Sequence, residues 1–117
     1  MATRSVVAEK AFAFAVQVVK LVRQLRMEHK EYVLSKQLLR SGTSIGANIE
    51  EALAGQSRRD FIAKMSIASK ETRESAYWLR LLRETNYLTG NSAAPLQNDS
   101  HELRRMLTSI IKTSQGD

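Results

Sequence analysis

A chain of 117 residues has room for one compact domain and not for two, and one of this size can bury a core without disulfide or metal staples. It contains no cysteine, which excludes disulfides, thiolate nucleophiles and cysteine-ligated zinc or iron–sulfur sites. Eighteen Lys and Arg against twelve Asp and Glu give a formal charge of +6, a balance that attracts nucleic acid or anionic surfaces and equally serves solubility.

That excess sits in residues 1–31, with six basic and three acidic groups, and in 57–90, with seven and four. Residues 32–56 and 91–117 each sum to zero. No stretch approaches the roughly 18 uncharged apolar residues of a membrane span. Glu9, Lys10, Gln17 and Lys20 interrupt the N-terminal apolar run, so no secretory leader is expected and the expected address is cytoplasmic.

The first predicted helix covers 5–27, with Ser5 as cap and Val7, Ala11, Phe14, Val18, Leu21 or Val22, and Leu25 repeating at steps of three and four. Phe12, Val16 and Val19 widen its apolar surface beyond one seam, as suits a bundle interior or a contact between subunits. A break follows at the charged cluster Glu28, His29, Lys30, Glu31, although neither Gly nor Pro marks it.

The second helix, from about 32 to 54, organises the rest. Leu38, Gly42, Ile45, Ile49 and Ala52 share one narrow face, and Ser41, Ser44, Gly46 and Ala47 extend its small surface. Two glycines inside a helix each cost about 1 kcal/mol relative to alanine, which implies close approach of a neighbour. Arg40, Asn48 and Glu51 form a polar strip beside that seam, expected to fix helix register and chain pairing rather than to bind or react. Gly55 is expected to end the helix in the left-handed conformation, and Ser57 to cap the next one.

The third predicted helix runs from Arg58 to about Asn86, with Phe61, Met65, Ala68, Thr72, Ser75 or Ala76, Leu79 and Leu82 on one face. Asn86 to Asn98, with Gly90 and Pro95, reads as a long connection. Asp99 and Glu102 form a plausible capping box for a fourth helix that turns Leu103, Met106 or Leu107, Ile110 and Ile111 inward. With no period-two segment, the expected fold is all-α: one domain over 1–117, an antiparallel up-and-down four-helix bundle.

Chemistry is sparse. The two histidines, His29 and His101, each near a predicted helix end, lack the Glu-x-x-His spacing of a bundle di-iron site, and no glycine pattern for phosphate or dinucleotide is present. No catalytic, metal or cofactor-binding residue is assigned, and the chain is expected not to be an enzyme. Candidate nucleic-acid contacts are Lys20, Arg23 and Arg26 on the first helix, and Arg58, Arg59, Lys64, Arg73, Arg80 and Arg83 on the third. Tyr77, Trp78 and Tyr87 are expected in core or subunit contacts rather than as exposed stacking groups.

Residues 40–82, RSGTSIGANIEEALAGQSRRDFIAKMSIASKETRESAYWLRLL, resemble the four-helix-bundle family whose founding members are encoded in intervening sequences of bacterial 23S ribosomal RNA genes. The run Arg-Ser-x-x-Ser-Ile-x-x-Asn-Ile-x-Glu-Ala from Arg40 to Ala52 carries the resemblance, with Arg58-Arg59-Asp60-Phe61-Ile62 in support. It implies a small helical protein similar to members that form cyclic homopentamers, with no established activity and no catalytic residues to carry over. More distantly the chain is similar to the accessory variability determinant of diversity-generating retroelements, a basic pentamer thought to bind nucleic acid and a reverse transcriptase. The leading expectation is therefore a non-enzymatic oligomeric interaction or scaffold protein. The alternative is a nonspecific RNA- or DNA-binding accessory protein acting with an RNA-processing or reverse-transcription partner.

Overall fold

Residues 5–116 are described by a computed structural model, in which four helices follow one another through short turns. They are α1 (Val6–His29), α2 (Leu34–Leu53), α3 (Arg58–Glu84) and α4 (Gly90–Ser114), with no strand among the described residues. Both α1 and α3 pack against α2 and α4, and this leaves α1 and α3 on the diagonal of an up-and-down bundle. The long dimension of 45 Å is close to the roughly 40 Å expected of the 27-residue α3.

The apolar stripes meet on the bundle axis. Phe14, Val18 and Leu25 of α1, Leu38, Ile45 and Ile49 of α2, Met65, Leu79 and Leu82 of α3, and Leu103 and Leu107 of α4 are all but fully buried. Burying a side chain of this size contributes about 1.5 to 3 kcal/mol, so these residues dominate the stability of the bundle. Phe61 packs only partly buried at the edge.

Two caps stand where the sequence places them. The Ser5 hydroxyl accepts from the Ala8 N–H at 3.2 Å, and that of Ser57 from the Asp60 N–H at 3.0 Å. The other ends differ. Gly55 stays outside the left-handed region; what it supplies is space, since a Cβ there would lie 2.5 Å from Asp60 Oδ2 and 3.1 Å from the Ala52 carbonyl oxygen. The left-handed positions fall instead at Lys30 (φ 53°) and Asn86 (φ 69°), which close α1 and α3 without glycine. After Asn86 the chain makes a Schellman turn: the Tyr87 N–H donates to the Leu82 carbonyl at 3.0 Å and the Asn86 N–H to that of Arg83 at 3.1 Å.

The long connection expected over Asn86 to Asn98 is corrected by the structure. Thr89 caps α4 by accepting from the Ser92 N–H at 3.0 Å, and the helix begins at Gly90, so Pro95 lies inside it. Proline so near a helix start removes only the donor that would reach the Asn91 carbonyl, and Asn91 is exposed to water. Burial of Ala93, Leu96 and Ser100 continues the stripe of Leu103 and Leu107 and holds this end in helical form. Asp99 and Glu102, expected as a capping box, are mid-helix and meet Lys10 of α1, with Lys10 Nζ 2.6 Å from Glu102 Oε1. His101 likewise lies within α4 rather than near its start.

The turn between α1 and α2 is held by one carboxylate. Glu31 is only 9% exposed; its Oε2 accepts from the N–H groups of Val33 at 3.1 Å and Leu34 at 3.0 Å, and its Oε1 from that of Ser35 at 2.7 Å. The Ser35 hydroxyl returns a bond to the Glu31 carbonyl at 2.7 Å. Negative charge at a helix N-terminus also meets the positive end of the macrodipole. Burial pushes the Glu31 carboxyl up, but the N–H donors of Leu34, Ser35 and Val33 outweigh it and hold the group below its ordinary value.

A depressed folded-state value means that Glu31 stabilises the bundle above the unfolded pKa, and that this contribution disappears as pH falls through the folded one. Glu31→Gln should therefore lower stability by about 1 to 2 kcal/mol at neutral pH, with the gap from wild type closing in acid. Urea denaturation at neutral and acidic pH measures both.

Candidate functional site

The seam of α2 is the first place to look for a site, and it is filled. A Cβ on Gly42 would stand 2.8 and 2.9 Å from the two γ-methyls of Val18, so α1 crosses α2 at a distance that only glycine permits there. At Gly46 the same atom would be 3.7 Å from Ala11, an ordinary contact. On the other side of α2, the buried Ser75 hydroxyl donates to Ser41 at 2.9 Å and that of Ser41 to the Leu38 carbonyl at 3.3 Å. No buried side-chain polar atom among the described residues lacks a partner.

The polar strip divides. Arg40 reaches across to α3, with Nη1 3.3 Å from Glu71 Oε1 and Nη2 bonded to Glu74, which also accepts from the Trp78 indole at 3.3 Å. Half exposed, the arginine adds no more than about 1 kcal/mol, and its effect is to pin the register of α2 on α3. Asn48 donates to the Ser44 carbonyl of its own helix at 2.8 Å. Glu51 is exposed on a shallow depression shared with Gly55, Asp60 and Lys64.

Two outward faces are left. On the α1/α2 side Phe12 is 69% and Met27 75% exposed, with Val19 more than a third open. Val19, Val22 and Met27 line a groove of about 270 Å³ with Leu39 of α2, edged by Arg23 and Arg26. Val33 and Tyr32 extend exposed apolar surface into the turn.

On the α3/α4 side lies a shallow groove of about 250 Å³ lined by Arg73, Ala76, Tyr77 and Arg80 of α3 and by Gln97, His101 and Arg104 of α4. Tyr77 is half exposed, set edge-on to Trp78 at 5.1 Å, with the Arg80 guanidinium carbon 5.9 Å from its ring centre. Arg83 donates to Gln97 Oε1 at 3.2 Å and fixes the register of the two helices at the groove's end. Trp78 and Tyr87 pack partly buried against the core as expected; Tyr77 does not.

The basic residues singled out in the sequence fall into separate groups. Lys20, Arg23 and Arg26 are on α1, diagonal to α3, and Arg26 is drawn to the first turn, where it donates to the Ser35 hydroxyl at 3.3 Å. Arg58 and Arg59 are exposed at the start of α3, about 20 Å along its axis from Arg73. Only Arg73, Arg80 and Arg83 come together at the α3/α4 groove. None of Gln97, His101 and Arg104 was named as a nucleic-acid contact from the sequence: Gln97 falls in the stretch that reads as a loop, His101 stood out only for lacking metal-site spacing, and Arg104 lies in a segment whose charges cancel. The signal was present as the 97, 101, 104 spacing, which matches 73, 77, 80 on α3.

Residues 3–109 match the family described as 23S rRNA-intervening sequence protein. The chain belongs to that family. A crystal structure of a family relative, a protein of unknown function from Bacteroides thetaiotaomicron assigned to the S23 ribosomal protein family, is 54% identical. The two superpose with a TM-score of 0.90 over 92% of this chain and 99% of that one. No curated protein matches the chain. Membership accounts for the bundle and for the Arg40 to Ala52 motif, and the relative's function is unknown, so any role must be argued from the faces described above. No helix of the described residues is long and apolar enough to cross a membrane.

The seam makes a paired prediction for this family member. Gly42→Ala should destabilise the bundle by about 1 to 2 kcal/mol despite its better helix propensity, and adding Val18→Ala should restore part of the loss. Gly46→Ala should be neutral or stabilising by up to about 1 kcal/mol. Thermal and urea unfolding of the three variants decide it.

Proposed function

We propose that the protein is a non-catalytic, self-associating bundle that serves as an interaction or scaffold module, its copies joined through the outer α1/α2 face. The observation that carries this reading is the exposed apolar row on that face, above all Phe12 and Met27. Large apolar side chains left exposed along one face in this way mark interaction sites. The similarity to family members that form cyclic homopentamers supports a ring, which arises when a head-to-tail contact closes by rotation. Three of the carboxylates between the helices are occupied structurally: Glu31 caps α2, while Glu71 and Glu74 hold Arg40.

Light scattering after size exclusion, across a concentration series, tests this. The wild-type mass should be a multiple of the 13.2 kDa chain, fivefold for a pentamer, and Phe12→Glu with Met27→Glu should return it to the single-chain value with helix content unchanged. A wild-type mass of one chain at every concentration ends the reading.

A second reading, nonspecific binding to RNA or DNA beside an RNA-processing or reverse-transcription partner, is favoured by the arginine groove between α3 and α4, which has no carboxylate among its lining residues. Filter retention of a mixed-sequence RNA should weaken steeply with salt. It should also fall when Arg58 and Arg59, or the groove arginines, become glutamine; retention indifferent to salt and to both replacements disposes of it.

A further inference from the structure

The α3/α4 groove differs from the other basic regions of the chain in having an aromatic ring set among its cations. Arg73 and Arg80, seven residues apart on α3, stand about 10 Å from each other along the helix axis, with Tyr77 between them and Arg104 facing from α4. No ion pair among the described residues engages any of the three arginines. Glu84, one turn beyond Arg80, is outside the lining, and Asp99 and Glu102 are turned to Lys10 on the far side of α4. The groove is thus a concentration of positive charge that the fold itself does not use.

Its aromatic ring decides among polyanions. Tyr77 is half exposed: Trp78 meets its ring edge-on and the Arg80 guanidinium lies over one face, and the two contacts hold the ring in place. Duplex bases keep their faces stacked inside the helix, whereas an unpaired base can lie on an aromatic side chain, a contact that every base can make. An acidic peptide would satisfy the guanidinium groups and leave the ring unused.

We propose that the α3/α4 groove binds a single-stranded polynucleotide, with Arg73, Arg80 and Arg104 on its phosphates and an unpaired base against Tyr77. The inference rests on the nucleic-acid reading given above and narrows it to one groove and one class of strand. Three phosphate contacts on a single strand give a logarithmic salt slope of about −2, or roughly a 20-fold loss of affinity between about 50 and 200 mM salt.

The test is fluorescence anisotropy of the full chain with a labelled oligothymidylate of about 15 nucleotides, a duplex of equal length and polyglutamate as competitor. The single strand should bind at least tenfold more tightly than the duplex, with that salt slope. Replacing Arg73, Arg80 and Arg104 together by glutamine should flatten the slope, whereas Lys20→Gln with Arg23→Gln should leave it unchanged. Tyr77→Leu should weaken single-strand binding by about fivefold or more with the slope kept, and move duplex binding less than twofold. All these side chains are at the surface, and circular dichroism checks that each variant is folded. Equal affinity for both nucleic acids with no effect of Tyr77→Leu overturns this inference while leaving the charge-based reading in place. Competition by polyglutamate as effective as by unlabelled oligothymidylate overturns it in favour of an acidic protein partner. Loss confined to the α1 variant overturns the location, and no binding to either nucleic acid removes both readings together.

Discussion

The structure depends on how closely α1 can approach α2. Gly42 stands against the γ-methyls of Val18, and a β-branched valine has little rotamer freedom with which to make room. That contact sets the separation of the first helix pair, and the separation decides whether Phe14, Leu38 and Ile45 fill the space between the helices or leave a void. On its other flank α2 is tied to α3 by Ser75 to Ser41 inside and by Arg40 to Glu71 and Glu74 outside. A helix with small residues on one flank and a polar strip on the other holds two neighbours in two different ways, one by proximity and one by register.

Charge is partitioned by helix face in the same manner. On α4 the acidic Asp99 and Glu102 turn to Lys10 of α1, while Gln97, His101 and Arg104 turn to α3. The segment is neutral in sum and polarised in space. Pairing Asp99 and Glu102 with α1 leaves Arg104 to combine with Arg73 and Arg80 of α3, so a groove of one sign forms from two helices that each carry both signs. The α1/α4 ion pair has a further trace: the neighbouring Glu102 carboxylate holds the Lys10 ammonium above its ordinary value.

Much of the interior was legible in the sequence because burial follows helical periodicity: Val7 through Leu25, Leu38 through Ala52 and Met65 through Leu82 lie inside as their spacing requires. The turns were less legible, for a physical reason. The chain turns left-handed at Lys30 and Asn86, where local backbone hydrogen bonds back to the helix end close a conformation that glycine would only make easier, while Gly55 is used for its lack of a side chain. Pro95, a breaker in most settings, falls close enough to a helix start to lose little, and the small residues Ala93 and Ser100 are core positions where the bundle is narrow. Reading 86–98 as a loop hid the N-terminal third of α4, and with it Gln97 of the groove. The three α3 arginines of that groove could be named from the sequence; His101 and Arg104 also lie within the fourth helix as read there, but which face of it meets α3 is set by packing rather than by periodicity alone.

The two outward faces bear on one another. In a ring of four helices the α1/α2 edge is opposite the α3/α4 edge, so the proposed head-to-tail contact, if it sets Phe12, Val19 and Met27 of one copy against a surface of the next other than its α3/α4 edge, would leave the arginine groove of every copy free. Under the proposed reading, one groove with three cations would hold a polyanion weakly and lose it quickly as salt rises. Several grooves on one assembly let a single strand rebind before it leaves, and the second engagement acts at an effective concentration set by the spacing of the copies rather than by solution. Association through the apolar face and affinity at the basic face would then be coupled with no contact between them, and a chain that failed to associate would lose avidity with its groove intact.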